Sequence, residues 1–448
     1  MHTIVIPESV DSSKKLQSII DKTGNNPAKY VFSPDHHIEI NSRLRVYNYT
    51  EWDGAGCQFT LMDNAPPSTF GEQIPLIAPK YPTSTEGLVF HDFKFDGRRE
   101  HQAKVPKKNG KNWGLGYHNL FLLGSLSSVS YNNSKNCEFY NIDYKNSLGD
   151  LLRVEGGTNI SAHDITASRG GHDVIMYVAQ DSEVYNLKVD MAVNAAVRTR
   201  SAKNIKIHDC VLNGGTGEAY SPAIQIQATA KNWISDNIEI YNNEIYGTYG
   251  PGVQVAGNVT DTGLVHIHHN FFNGCGAMPG SVNRPVTGAI TFDGFPVKIE
   301  NNTIVNSLGF GIVAGDYDVG SKYSFEAEIA KNIVFGTRKA YKAGLASGTG
   351  IANLLGSRYS IDCRENCLYD NSNDLYKVTN INGIYEDPCF TENYYLQDSS
   401  SCKQAGRFPY ESSIEDEKLT KLILTCAEEK VDALAKTLTN PYTIYRRI

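Results

Sequence analysis

The sequence predicts an all-β chain wound as a right-handed parallel β-helix, and three observations predict it. One phrase returns along the middle of the chain: NCEFYNIDYKN from Asn136, NISAHDITAS from Asn159, NIKIHDCVLNG from Asn204 and NIEIYNNEIYG from Asn237, then HIHHNFFNG, VKIENNTIVNS and EIAKNIVFG. Within each phrase apolar residues alternate with polar ones and Asn or Gly marks a turn. A unit this small cannot bury its own apolar face, so it must stack on its neighbours. With Cys137, Ile160, Val184, Ile205, Ile238, Val265, Val297 and Ile329 taken as equivalent, the spacing varies between 21 and 33 residues. A fixed core phrase at variable spacing means regular strands joined by loops of unequal length.

Residues 1–56 read as an N-terminal cap. IVIPES gives a short strand, and Ser12 to Lys22 places Leu16, Ile19 and Ile20 on one helical face. Such an amphipathic helix covers the open end of an apolar stack, as terminal repeats must. INSRLRVYNY then alternates as a first solenoid strand. Residues 57–388 read as the β-helix, with its repeats from about Gly87 to Pro388. Two long loops interrupt it: the proline-rich stretch 57–85, and the basic excursion 98–113 (RREHQAKVPKKNGKNW). The excursion is either a solvated loop or a lip that attracts an anionic polymer. Residues 389–448 form a C-terminal extension, with helical periodicity over 415–437.

Composition narrows the function classes. The net charge of −7 and pI near 6 give no support to nucleic-acid binding. No run of 18 apolar residues exists, so no membrane span is expected. No signal peptide is visible at Met1. The 26 Tyr suit a surface that stacks on sugars. Nine Cys without CxxC pairs read mainly as buried small hydrophobes, with Cys363 and Cys367 a weak disulfide or metal hint.

A second strand in each coil can be stacked: LLRVE from Leu151, VIMYV from Val174, AVRTR from Ala196, AIQIQ from Ala223, GVQVA from Gly252 and AITFD from Ala289. Period-2 alternation turns Leu152/Val154, Ile175/Tyr177, Val197/Thr199, Ile224/Ile226 and Val253/Val255 inward. Outward stand Arg153/Glu155, Met176/Val178, Arg198/Arg200, Gln225/Gln227, Gln254/Ala256 and Thr291/Asp293. Arg and Gln with little Lys fit recognition of carboxylates and hydroxyls. Just before these strands, Asp150, His172–Asp173 and Asn194 occupy turns of adjoining coils. Strands lie about 4.8 Å apart, so the two aspartates become neighbours. Paired carboxylates raise one pKa and supply an acid and a base, as glycoside hydrolysis requires. The competing reading is a turn ladder that satisfies backbone groups.

HIHHN, with His266, His268 and His269, reads as a solvent-facing ladder rather than a metal site. Asp316 and Asp318 give weak support for Ca²⁺, and no other cofactor is indicated.

GDLLRV, GGHDVIMYV, NAAVRTRSAKNIKIHDCVLNG and EIYNNEIYGTYGPGVQV resemble the β-helix proteins of methane-producing archaea related to disaggregatase. The resemblance spans roughly 87–310 and, more loosely, YYLQDSSSCKQAG. It implies a pectin-lyase-like fold and degradation of a chondroitin-like matrix of glucuronate and N-acetylgalactosamine. The Asp150, His172–Asp173, Asn194 column is also similar in placement to the aspartate cluster of pectin-hydrolysing β-helix enzymes, whose middle coil carries two Asp where this chain has His172. The acidic calcium cluster of pectate lyases is not evident.

The reading is therefore an enzyme that cleaves an acidic, uronate-containing polysaccharide and works outside the cell or at its surface. Hydrolysis is slightly preferred, with Asp150 and Asp173 as acid/base pair and His172 sharing protons. Arg153 and Arg198 bind substrate carboxylates; Glu155, Asn194, Arg200, Gln225, Gln227 and Gln254 line the substrate strip. In the alternative, β-elimination, an Arg neutralises the uronate and His172 or Arg198 removes the proton. The non-enzymatic rival is a tailspike-like surface β-helix that binds glycan without cutting it.

Overall fold

The computed structural model describes residues 1–65, 74–102, 118–125, 128–192, 194–213, 222–228, 235–257, 262–276, 286–315, 323–339 and 346–407. The strand ladders pair in parallel, coil upon coil, as the predicted right-handed parallel β-helix requires. Two compact units are present, Met1–Ile207 and His208–Ile448.

In the first unit one ladder runs from His2–Val5 through Ala28–Val31, Thr50–Asp53, Val89–Asp96, Ser134–Lys145 and Leu152–Ser168 to Asp173–Asp190. Its inward column is aromatic at the start, with Tyr30, Trp52, Phe90 and Phe139 in register. Trp52 and Phe90 stack at 4.7 Å between ring centroids. The column then narrows to Ala162 and Val184. The helix Ser13–Thr23 packs beside the strands His37–Ile40 and Leu44–Val46, with Leu16 and Ile20 both fully buried one turn apart. Its Gln17 exchanges hydrogen bonds with the Arg45 backbone, donating to the carbonyl and accepting from the N–H. Turns recur at Asn136, Asn159 and Asn204, each with φ between 52° and 56°. Asn tolerates this left-handed backbone better than other β-carbon-bearing residues, which is why it punctuates the repeat.

In the second unit each coil has three strands. One coil runs Val253–Gly257, Val265–His268, Phe271–Asn273; the next runs Gly288–Asp293, Val297–Glu300, Thr303–Val305. The corner before each short third strand carries a fully buried asparagine: Asn243, Asn270, Asn302, Asn332 and Asn366. Each backbone N–H donates to the side-chain oxygen of the next, at 2.9 to 3.1 Å, and among the described residues the series runs to Asn380. The side-chain amides of Asn270, Asn302, Asn332 and Asn366 also donate to backbone carbonyls, so little of this buried polar corner is left unsatisfied.

Several details differ from the sequence reading. The stretch 57–85 contains the strands Gln58–Leu61, Ile74–Pro79 and Thr85–Glu86. Prolines disguised the second of them: Pro79 sits at its end, and the carbonyl of Pro75 accepts from Arg43. Val184 pairs with Ala162 rather than Ile160, and Ile329 with Ile299 rather than Val297. Both slips are two residues long, which leaves the inward face inward. From the basic excursion, Arg98 and His101 face Asp63 instead of standing free; residues 103–113 lie outside the described residues, as does the expected helix over 415–437.

Cys367 forms a disulfide with Cys402, not with Cys363, which stays buried and reduced. The bond pins the segment around YYLQDSSSCKQAG to the strand Cys367–Tyr369, beside Ile333 and Ala405. It closes a loop of 35 residues, for which chain-entropy arguments give about 3–4 kcal/mol. Cys402→Ser is expected to lower the stability of the second unit by that order, read from a urea midpoint. The same midpoint should fall for the native protein in reductant.

Candidate active site

All of the acid, His and Arg candidates fall in the first unit, at the entrance to the strands Leu152–Ser168, Asp173–Asp190 and Ala195–Arg200. The register aligns Phe121, Leu152, Ile175 and Val197. Asn119, Asp150 and Asp173 each stand two residues ahead of that row. Asn194 falls in the row of His172, because Asp173 pairs with Ala195.

These residues form a ladder. The Asp150 N–H donates to Asn119 Oδ1 at 3.0 Å, the Asp173 N–H to Asp150 Oδ1 at 2.9 Å, and Asn194 Nδ2 to Asp173 Oδ1 at 2.7 Å. The structural role foreseen for turn residues is therefore present. Yet the asparagine ladder of the second unit does this work with neutral amides. Two carboxylates at adjoining rungs, 1% and 0% exposed, are a costly way to satisfy backbone groups unless cations meet them.

Cations do meet them. Arg198 Nη1 stands 3.2 Å and His172 Nδ1 3.0 Å from Asp173 Oδ2. Arg153 Nη1 reaches Asp150 Oδ2 at 3.5 Å, and its Nε donates to Glu155 at 2.6 Å while Nη2 pairs with the same carboxylate. Burial pushes the Asp150 carboxyl up, and the nearby Asp173 charge adds to the rise. For Asp173 burial also pushes upward, but Arg198, His172 and the hydrogen bond from Asn194 outweigh it and hold the group well below the usual carboxylate range. Two neighbouring carboxyls are thus driven in opposite directions.

One carboxylate oxygen of each of Asp150 and Asp173 and a ring nitrogen of His172 lie within 4.8 Å of one another. A metal is a poor fit, since guanidinium groups already stand against both carboxylates and a divalent ion would have to displace them. The weak Ca²⁺ candidates Asp316 and Asp318 lie outside the described residues.

The outward strip is not solvated as the alternation alone suggests. Arg153, Glu155, Met176 and Val178 are all buried. Arg153 lies in register between Leu122 and Met176, which separates it from Arg198. What reaches solvent is the edge of His172, with 16% of its side chain exposed, the edge of Arg198, with 13%, and the more exposed Arg200. Arg198 Nε is buried without a hydrogen-bond partner among the described residues. Gln225, Gln227 and Gln254 belong to the second unit, where Gln225 donates to Gln254 at 2.7 Å as a ladder. Asn119 escaped the sequence reading, although its place two residues before Phe121 repeats that of Asp150 before Leu152.

The opposed shifts predict unlike variants. A carboxyl held below its unfolded pKa contributes stability above the ordinary carboxylate range and loses it as pH falls through the depressed folded value. A carboxyl held above contributes below that range and loses it as pH rises through the raised folded value. Asp150 therefore costs stability at neutral pH. Asp150→Asn keeps the acceptor for the Asp173 N–H and leaves Arg153 paired with Glu155. Its urea midpoint at pH 7 is expected within about 1 kcal/mol of wild type, or above it; a loss greater than about 3 kcal/mol would contradict the opposed shifts.

No helix among the described residues is long and apolar enough to cross a membrane. Residues 235–425 match the family model described as disaggregatase related. That span includes EIYNNEIYGTYGPGVQV and YYLQDSSSCKQAG but starts after the carboxylate column. No curated relative matches the sequence. Among solved structures, a mannuronic acid-specific polysaccharide family 6 lyase from the human gut microbiota is similar over 97% of this chain and 100% of its own, at 10% identity and TM-score 0.51. The family 6 alginate lyase AlyGC is similar over 91% of this chain and 57% of its own, also at 10% identity and TM-score 0.51. The A-module of the Azotobacter vinelandii mannuronan C-5 epimerase AlgE6 matches over 84% and 95%, at 10% identity and TM-score 0.48. At these identities the likeness is one of fold.

Proposed function

We propose that this β-helix with its disaggregatase-related region is an enzyme that cleaves a uronate-containing polysaccharide, and that it does so by β-elimination. The observation that carries the mechanism is the order of burial: both carboxylates are enclosed, while His172 and Arg198 reach the surface. This reverses the initial preference for hydrolysis, because a buried carboxyl that cannot touch the glycosidic oxygen cannot protonate it.

In this reading Arg198 binds the uronate carboxylate and draws charge from it, which acidifies the proton on C5. Asp173 engages His172 Nδ1, so the other ring nitrogen, Nε2, takes that proton. The C5 electron pair forms the C4–C5 double bond as the C4–O bond breaks, and the departing oxygen takes a proton from solvent or from the imidazolium. Asp173 holds the ring and balances its charge. Arg200 extends the cationic edge toward a neighbouring sugar. The two lyase structures of the same fold, whose names refer to alginate and mannuronic acid, are consistent with an acidic polymer. A matrix polysaccharide of the chondroitin-like class is what the resemblance of the sequence to disaggregatase-related proteins implies. A disulfide fits an oxidising compartment, hence secretion or display at the surface.

The opposed carboxyl shifts favour hydrolysis as the second reading. One experiment separates the two: incubation with chondroitin-type and alginate-type polymers, following unsaturated-uronate absorbance and new reducing ends together. Elimination raises both signals. Reducing ends without the absorbance assign hydrolysis to Asp150 and Asp173, and silence in both leaves a glycan-binding β-helix.

A further inference from the structure

The HIHHN segment has a geometry that a solvent-facing ladder does not need. His266 and His268 alternate outward on the strand Val265–His268, and Glu239 stands opposite His266 on the strand Asp236–Tyr241. One ligand atom from each of Glu239, His266 and His268 lies within 4.8 Å of the other two. Elsewhere in the chain the stacked histidines of the outer face are spaced by tyrosine, as His208 is from His268 by Tyr241. Here two imidazoles approach to 4.1 Å between centroids.

Three clusters of this kind occur among the described residues, and their charge settings differ. Asp150 and Asp173 face Arg153 and Arg198; Asp53 faces Lys29 at 3.0 Å. Glu239 pairs with His268 at 3.1 Å, and no Lys or Arg among the described residues pairs with it. Lys298 is held by Glu300 at 2.6 Å, and the same carboxylate oxygen accepts from His266 Nε2 at 2.8 Å.

We propose that Glu239, His266 and His268 bind a divalent transition metal of the zinc class, with water completing the shell. Two imidazoles and one carboxylate are a borderline-soft donor set that suits Zn²⁺ and leaves open positions. Tetrahedral arms of 2.0–2.1 Å place ligands about 3.4 Å apart, reached from the present spacing by small side-chain rotations. The surroundings support it. His268 Nδ1 lies 2.8 Å from His269 Nδ1, so one ring donates to the other. An ion at His268 Nε2, the atom facing Glu239, displaces the proton from that nitrogen to Nδ1, where His269 Nδ1 can accept it. Tyr241 stacks on the His268 ring within 2° of parallel. The ion would clamp two adjacent coils of the second unit.

The proposal is independent of the cleavage chemistry. The full chain, stripped with chelator and dialysed, is titrated with ZnCl₂ by calorimetry, alongside His268→Gln, Glu239→Gln and His172→Gln. Expected are about one equivalent of Zn²⁺ for wild type and His172→Gln, with affinity lowered roughly 100-fold or more in the other two. Melting temperatures of wild type, His268→Gln and Glu239→Gln in chelator should agree, which shows that the variants fold; Zn²⁺ should then raise only those of wild type and His172→Gln. A wild type that takes up no Zn²⁺, or Zn²⁺ binding that survives His268→Gln, overturns it.

Discussion

Asp173→Asn is expected to lower the rate of polymer cleavage by about 10³–10⁴-fold, the scale seen when a buried carboxylate that holds a catalytic imidazole is neutralised. The amide keeps the size of the side chain and can still meet Asn194. It leaves Arg198 and His172 facing a neutral group, and its Nδ2 can turn toward His172 Nδ1 and impose the wrong tautomer. Stability should fall as well, by about 3 kcal/mol, since the guanidinium of Arg198, buried but for its edge, loses its counter-charge. Binding of an uncleaved oligosaccharide is expected to persist, because Arg198 and Arg200 remain. Rate, urea midpoint and oligosaccharide binding measured on one preparation separate these effects. Cleavage at the wild-type rate would remove Asp173, and with it the His172 mechanism, from the chemistry.

The second large effect concerns architecture. Asn302→Ala is expected to destabilise the second unit by more than about 3 kcal/mol. The residue is fully buried. Its side chain accepts the N–H of Asn270 and donates to Asn332 and to the carbonyls of Ile267 and Glu300. Truncation strands several backbone and amide groups in an apolar interior, each costing about 1–3 kcal/mol. Asn302→Asp should be nearly as damaging, since it keeps the acceptor, removes the donor and adds an unpaired charge. Chemical denaturation followed by tryptic cleavage would place the loss in the second unit; a midpoint equal to wild type would mean that water replaces the missing amide.

The contrast between these two ladders explains how much was legible in the sequence. Alternation identified the strands and their inner faces, because only the inner face is under strong apolar selection. Even the misaligned pairs, Val184 with Ile160 and Ile329 with Val297, kept their faces, since a period of two is blind to a two-residue slip. Asp150, His172, Asp173 and Arg198 came together because they precede or occupy equivalent strands. Which of them touch solvent was not legible: Met176 and Arg153 share an outward row with Arg198, yet only Arg198 reaches the surface, and cover depends on chain outside the strands. The Cys367–Cys402 bond was hidden for the same reason, as the two sulfurs are 35 residues apart and most of the chain between them lies outside regular strands. The strand at Ile74–Pro79 was lost to a composition argument that tertiary pairing overrides.

The asparagine ladder also has a direction. In each rung the N–H of the earlier coil donates to the oxygen of the later one, from Cys210 onto Asn243 and on to Asn380. A coil emerging from the ribosome or a translocation pore therefore carries a donor whose acceptor has not yet been made. Each coil is completed only when its successor arrives, so growth of the helix keeps pace with delivery of the chain and a pause leaves one reactive edge. The amide dipoles, all pointing the same way, reinforce one another as rungs are added. Release of the final segment, with Asn380 and the cysteine that locks it nearby, ends the series and seals the last open rung.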